Sequence, residues 1–489
     1  MPPLPRDRSD HGSLGRLDEV DAVSQVTEPL LAPADDLSAA SASQNGQDDD
    51  APSLSGLLLF KSLYFLNGLS GATWGRFGVI YYNSIKHLSP EQIGVLQGVL
   101  PLLGFITMPL WGYVADMVHS RKSVYLFCKV LSTVSLLSLS LERVSTFPLI
   151  FLCVLGMAMF RASGVLDAHT LDFLGDKHRT MYGTIRMWTA VSWGLGCVIM
   201  GWVTDSYGFQ WNFGLFGVMM TLVIVITACG LPARSKSEQA RYDLSNQVAV
   251  VTRPPTSILV EAICRGPVFL WLLEVAVIGA GMSLVDSFLF VFLQNELGAS
   301  TALCGFTVGI TVLFELPVFH YSQFLLKHLG HDFLFVSAMA AYVIRVLGYT
   351  MLTPSTVHWV LLLEILHGIT FACMWIASVD FSGRIAPKEW STTVQSILSM
   401  TMSSFGGGIG PIFGGYVMER WGPVFMYRGA GWIVGGVFLM HLVAWLGCRK
   451  GHDDFLQSLS AQHVETHDDV AFRTAQSATE IREEIQGTV

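Results

Sequence analysis

The stretch Val268–Leu293, VFLWLLEVAVIGAGMSLVDSFLFVFL, runs for 26 residues with Glu274 and Asp286 as its charged side chains. A helix that crosses a bilayer core of roughly 30 Å needs about 20 mostly apolar residues. This stretch is long enough to span a membrane. Working outward, comparable runs fall at 56–82, 93–114, 123–141, 147–167, 183–205, 211–231, 302–324, 333–352, 357–379, 392–417 and 428–447. Short polar turns separate them, except for one longer polar segment, Pro232–Gly266. With 268–293 that makes twelve spans, six on each side of the long segment. The expected fold is all-α and integral to the membrane: twelve transmembrane helices in two pseudo-symmetric six-helix bundles.

Composition agrees. Of 489 residues, 51% are hydrophobic and 14% charged, against about 25% charged in a soluble domain. The net charge of −9 is concentrated at the ends. Residues 1–54 hold 3 Lys/Arg against 11 Asp/Glu, and 448–489 hold 4 against 8, which leaves +3 for 55–447. Acidity confined to tails speaks against a nucleic-acid partner, which needs a clustered basic face. The expected domains are an acidic disordered tail (1–54), a six-helix bundle (55–231), a linker (232–266), a second bundle (267–447) and a second disordered tail (448–489). No signal peptide is expected, because the first fifty residues lack an apolar core. The eight cysteines form no CxxC pair and lie mostly in apolar runs, as packing residues do. No metal site or cofactor is expected. There is no GxxxxGK[ST], HExxH or GxSxG, which argues against an ATP-driven pump or a membrane enzyme.

Orientation follows from the basic residues of the short loops. With both ends inside, the inner loops carry fourteen Lys/Arg, among them Arg121, Lys122, Arg384 and Lys450, and the outer loops carry Lys86, Arg143, Arg420 and Arg428. Both termini are expected to be cytosolic, in the plasma membrane or an endomembrane.

The halves also repeat one another. Asn83…Gly94-x3-Gly98 recurs about 211 residues on as Asn295…Gly305-x3-Gly309. Pro109-Leu-Trp-Gly112 recurs 208 on as Pro317-Val-Phe-His320, and Gly201-x3-Asp205-x2-Gly208 recurs 214 on as Gly415-x3-Glu419-x2-Gly422. Three pairs at nearly one offset indicate an internal duplication. Duplicated bundles around a midplane site are the architecture of alternating-access carriers.

Gly112-x3-Asp116-x4-Arg121-Lys122 closes the second span and leads to the third. The glycine is expected to admit a close helix, and the charges to form a gating cluster that makes and breaks between conformations. This spacing resembles the signature loop of the major facilitator superfamily. Over 56–447 the chain is similar to the lactose permease and nucleoside–proton symporter branch of that superfamily.

The resemblance implies a site. Tyr182-Gly-Thr-Ile-Arg186-Met-Trp-Thr-Ala-Val-Ser-Trp193-Gly194 resembles the permease's fifth helix, where an arginine and a tryptophan seven residues later hold the sugar. Arg offers a fork of donors to hydroxyls, and an aromatic plane stacks on a sugar ring. Asp167 resembles the acidic partner of that arginine. In the second half, Asp286, Glu315, Arg345, Glu364 and His367 are ionisable groups inside spans, where charge is costly and marks a substrate or ion path. By the likeness, Glu315 and His367 link the solute to the proton, and Arg345 draws out a carboxylic proton. The permease's proton-carrying glutamate falls on Thr370 here and its lysine on Glu364. The proton therefore belongs to Glu315 or Glu364, or transport is uncoupled. Glu315 is expected near mid-membrane with Arg345 at a similar depth. Glu274, Lys61 and Lys129 are read as snorkelling side chains, and Arg76 as lining the outer half of the cavity.

The expected function is secondary active transport of a small polar organic solute, a sugar or nucleoside, with proton symport. The partners would be that solute, protons and lipid, and the protein a monomer. A facilitative uniporter and a transporter-like receptor are the rival readings.

Overall fold

The computed structural model describes residues 52–118, 120–175, 178, 181–232, 260, 263–386 and 391–447. The expected tails, apart from residues 52–54, and most of the expected linker lie outside the described residues; Leu54, assigned to the tail, already belongs to the first helix. Among those described, nine helical runs are long and apolar enough to cross a membrane. The last, Thr393–Gly447, turns back at Gly422, whose φ of 81° favours a residue without a side chain, so it makes two passes. Leu54–Trp74 and Arg121–Ser138 are helices too, but more polar. The described chain therefore makes twelve helical passes, as hydropathy predicts. In chain order they start from Leu54–Trp74 (span 1), Pro90–Val118 (2), Arg121–Ser138 (3), Phe147–Met159 (4), Tyr182–Tyr207 (5), Gln210–Gly230 (6), Gly266–Asn295 (7), Thr301–His320 (8), His331–Tyr349 (9), Val360–Ile385 (10), 391–421 (11) and 423–447 (12). An even number of passes puts Leu54 and Gly447 at one face, called terminal here; the opposite face is distal.

Several spans differ from the continuous helices expected, span 11 by a wider turn at Met400–Gly406. Span 1 breaks at Gly75 and ends in a wider turn, Tyr81–Ile85. Span 8 stops at His320 and is followed by the short helix Ser322–Leu329. Span 4 breaks at Phe160–Ala162, where ψ swings to 32° and 40°, and resumes as Ser163–Leu174. Backbone freed inside a membrane needs new partners. Span 2 supplies them: Thr107 Oγ1 donates to the Ala158 carbonyl at 3.1 Å and Trp111 Nε1 to the Met159 carbonyl at 2.7 Å.

The repeated motifs meet at a seam on the distal face. Span 2 packs on span 11 and span 5 on span 8. A Cβ on Gly94 would lie 2.3 Å from the Pro411 carbonyl oxygen and 3.2 Å from Gly415 Cα. Its counterpart on Gly305 would lie 2.4 Å from the Cys197 carbonyl oxygen and 3.2 Å from Gly201 Cα. The two crossings are thus nearly the same contact, related by the pseudo-two-fold axis that the duplication requires. The repeated acids complete it. Asp205 accepts from the Thr301 and Ala302 amides at 2.9 and 2.6 Å, at the start of span 8. Glu419 accepts from the Glu91 amide at 2.9 Å, at the start of span 2. Each carboxylate caps a helix of the other half, where the positive end of the helix dipole favours it. Asn83 also donates to Asn295 Oδ1 at 3.1 Å across the halves.

Such a cap contributes about 0.5–2 kcal/mol, a roughly 2- to 30-fold shift in a two-state equilibrium. Asp205→Ala and Glu419→Ala, which remove the acceptor, are each expected to raise distal opening by that factor. The readout is the alkylation rate of a cysteine placed at Gln97, which lines the central cavity, by an impermeant maleimide from the distal side. Unchanged rates in both variants would show that the caps do not hold the seam.

Candidate functional site

Between the halves lies a cavity of about 590 Å³, within the range of small-molecule sites. Arg76, Arg161 and Trp193 face it from the first half, and Asp286, Glu315 and His367 from the second. Arg76, placed by the break at Gly75, ion-pairs with Asp286 of span 7. This pair ties the halves together beside the Phe77–Phe290 ring contact at 5.5 Å.

A chain of polar groups leads from there into the second bundle. His367 Nε2 stands 4.0 Å from Asp286 Oδ1, and its Nδ1 stands 3.4 Å from Glu364 Oε2. Glu364 is fully buried and accepts hydrogen bonds from Tyr349 and, at 3.0 Å, from Thr311. Arg345, also fully buried, brings Nη1 to 3.9 Å from Glu364 and lies 5.7 and 5.9 Å from the rings of Tyr342 and Tyr349. Arg345 thus faces Glu364. It does not share the depth of Glu315, because span 9 reaches Arg345 near its distal end while span 8 reaches Glu315 near its terminal end. The two glutamates are chemically distinct. Glu364 is held as an acceptor by two hydroxyls beside a guanidinium. The Glu315 carboxyl faces the cavity with no hydrogen bond or ion pair among the described residues, and Arg76 and Asp286 are the charges within its electrostatic reach.

Comparison with known proteins fits this geometry. A family model described as the MFS_1 like family matches residues 59–429. The chain belongs to that family. The maltose permease of Geobacillus stearothermophilus is 25% identical over 392 residues, covering 78% of this chain and 94% of the permease. The putative sugar efflux transporter of Deinococcus radiodurans is 20% identical over 382 residues, 74% of this chain and 90% of that protein. The crystal structure of the nucleoside transporter NupG superposes with a TM-score of 0.65 at 19% identity, over 81% of this chain and 99% of that one. The chain is a multi-pass membrane protein of the major facilitator superfamily.

In this MFS_1-like protein the residues singled out from sequence fall into three places. Trp193, Asp286, Glu315 and His367 line the cavity, with Arg345 and Glu364 behind them. Arg186 and Asp167 form a second cluster. Arg186 Nη1 lies 3.9 Å from Asp167 Oδ2 and donates to Tyr182 Oη at 3.1 Å, while Tyr64 donates to Asp167 at 2.6 Å. Seven residues of helix put about 10.5 Å of rise between Arg186 and Trp193; Trp193 is among the residues lining the cavity and Arg186 is not. The third place is the loop after span 2. Arg121 ion-pairs with Asp172 of span 4, and Lys122 donates to the Leu231 carbonyl at 2.6 Å, both within the first half. A Cβ on Gly112 would meet nothing within 4 Å, so this glycine admits no close helix in the present conformation. The Asp116 side chain lies outside the described residues.

Two side chains read as snorkelling turn inward. Glu274 is 4% exposed and bonds His441 Nδ1 at 2.8 Å. Lys129 donates to Asn67 Oδ1 at 2.6 Å, between spans 1 and 3. Sequence reading passed over Arg161, Thr311 and Tyr349. An arginine inside the expected span 147–167 was the available signal for the first; the two hydroxyls carry none until their helices are placed.

Proposed function

We propose that this protein is a proton-coupled secondary transporter of a small polar organic solute, a sugar or nucleoside derivative, working by alternating access with both termini cytosolic. The bodies that rock are the halves 55–231 and 267–447. The observation that carries the reading is Glu315, an unpartnered carboxyl on the cavity wall beside an arginine that bridges the halves. When Glu315 holds a proton, Arg76 is left to Asp286 and the distal tie is intact. When the proton leaves, a second carboxylate of the same half competes for Arg76, and that tie weakens. Protonation is thereby converted into a change at the interface. Solutes named for the relatives, maltose and nucleosides, fit the size of the cavity.

The test is uptake of labelled maltose and uridine into proteoliposomes with and without an inside-alkaline gradient. Accumulation above equilibrium only with the gradient supports symport. Equal uptake in both supports a facilitative uniporter, the reading to which Thr370 points, since its hydroxyl bonds its own helix at the Leu366 carbonyl, 2.7 Å away. In the same system Arg186→Ala is expected to weaken solute binding about 10- to 100-fold, the effect of removing a charge-assisted hydrogen bond. The unliganded unfolding temperature should be unchanged, because the Arg186 side chain is 62% exposed. Undiminished affinity would remove Arg186 from the site.

A further inference from the structure

The charges around the cavity do not balance, and the excess sits on one wall. Asp286 is paired with Arg76, Glu364 faces Arg345, and Asp167 lies beside Arg186. Among the described residues two cations remain. Arg161 lines the cavity and makes no ion pair. Lys129 stands close enough to repel it and has Asn67 and the Tyr125 ring, 5.4 Å away, as its neighbours, with no carboxylate in ion-pair range. Glu315 is the one carboxyl left over, on the opposite half. With Glu315 protonated, Arg161 on the cavity wall and Lys129 behind it are both left without a carboxylate partner among the described residues.

Uncompensated charge at membrane depth is costly and marks a ligand or ion path. The placement of Arg161 is also built. It sits in the break of span 4, between helices ending at Met159 and starting at Ser163, and the break is held open by Thr107 and Trp111. Irregular backbone at such depth persists where it lines a cavity. An arginine one turn earlier or later in a continuous helix would need no such support.

We infer that the transported solute is acidic: a hydroxylated ring bearing an oxyanion, carboxylate or phosphate, that Arg161 receives while Trp193 takes the ring. Arg161 presents a planar fork that matches either group, and Lys129 adds field from behind. With Glu315 protonated, a bound carboxylate offsets one of these positive charges, and a phosphate monoester, which carries about −1.5 to −2, offsets most of both. This rests on the transporter reading above and narrows its substrate.

Matched solutes test it. Thermal unfolding of the purified full chain is followed with glucose, glucuronate and glucose 6-phosphate, and with uridine and uridine monophosphate. At least one acidic member is expected to raise the unfolding temperature at a concentration about 10- to 100-fold below its neutral parent, the worth of a charge-assisted pair. The glucuronate and phosphate arms separate carboxylate from phosphate. Arg161→Gln should remove the acid's advantage, and Arg161→Lys should keep part of it. Without ligand, Arg161→Gln should be at least as stable as the parent, since it relieves repulsion with Lys129. Neutral parents that stabilise as well as their acids in every pair overturn the inference, as does an acid effect that survives in Arg161→Gln, or no effect from any acid. Gradient-driven uptake of a neutral solute would then leave the transporter reading standing; failure of that reading shows instead as uptake indifferent to the gradient.

Discussion

Glu315→Gln is expected to abolish uphill accumulation of solute while leaving exchange across the membrane intact. The amide imitates the protonated carboxyl and cannot release a proton. Arg76 then stays with Asp286, and the carrier can reorient only in its loaded form. Counterflow, which needs no proton release, should proceed at a rate comparable to that of the parent protein. Accumulation driven by an inside-alkaline gradient should fall to the equilibrium level. Glu364→Gln makes the contrast. That carboxylate accepts from Tyr349 and Thr311 and faces Arg345, so its amide leaves a buried guanidinium without a counter-charge. Removing one partner of a buried ion pair costs about 3–5 kcal/mol. Glu364→Gln should therefore lower the unfolding temperature, which Glu315→Gln should not. Persistent accumulation in the Glu315 variant would transfer the coupling role elsewhere.

A leucine at Gly94 or at Gly305 is expected to hold the distal face open. The obstacle in each case is a main-chain carbonyl, 2.3 and 2.4 Å from the new Cβ, which cannot rotate away as a flexible side chain can. Overpacking of this kind costs about 1–3 kcal/mol, a shift of roughly 5- to 150-fold between two states. Alkylation of a cysteine at Gln97 from the distal side should rise by that factor, and counterflow should fall with it. Because the two crossings are copies of one another, the two variants should behave alike. Gly436→Leu, where a Cβ meets nothing within 4 Å, should be silent. A pair of variants with parental accessibility would show that the seam has slack, and a large difference between them would show that the halves move unequally.

Much of this molecule is written along the chain. Apolar runs of about 20 residues place the spans, since burying a backbone in lipid demands helices of that length. The internal repeat equated Asn83 with Asn295, Gly94 with Gly305, Gly201 with Gly415 and Asp205 with Glu419, and so showed the duplication; that these residues meet at the distal seam, Gly94 against Gly415 and Gly201 against Gly305, came from the structure. Ionisable residues within spans were equally legible as a class. Hydropathy is a property of position along one dimension, and it suffices for length, number and duplication.

Pairing was decided in three dimensions. Arg76 and Asp286 are 210 residues apart, and nothing in either neighbourhood names the other. Arg345 goes to Glu364 because spans 9 and 10 run side by side in opposite directions, which brings the end of one beside the start of the other. Lys129 and Glu274 read as snorkelling because a helix end is near in sequence; the rotation of each helix turned them toward Asn67 and His441. The break that presents Arg161 has Ser163-Gly164 beside it as its sequence signal, and Thr107 and Trp111 of another helix take its freed carbonyls. Sequence determined which residues carry charge into the membrane. Helix rotation and neighbour, set by the packing of the whole bundle, decided which of those charges meet a partner and which face the cavity without one.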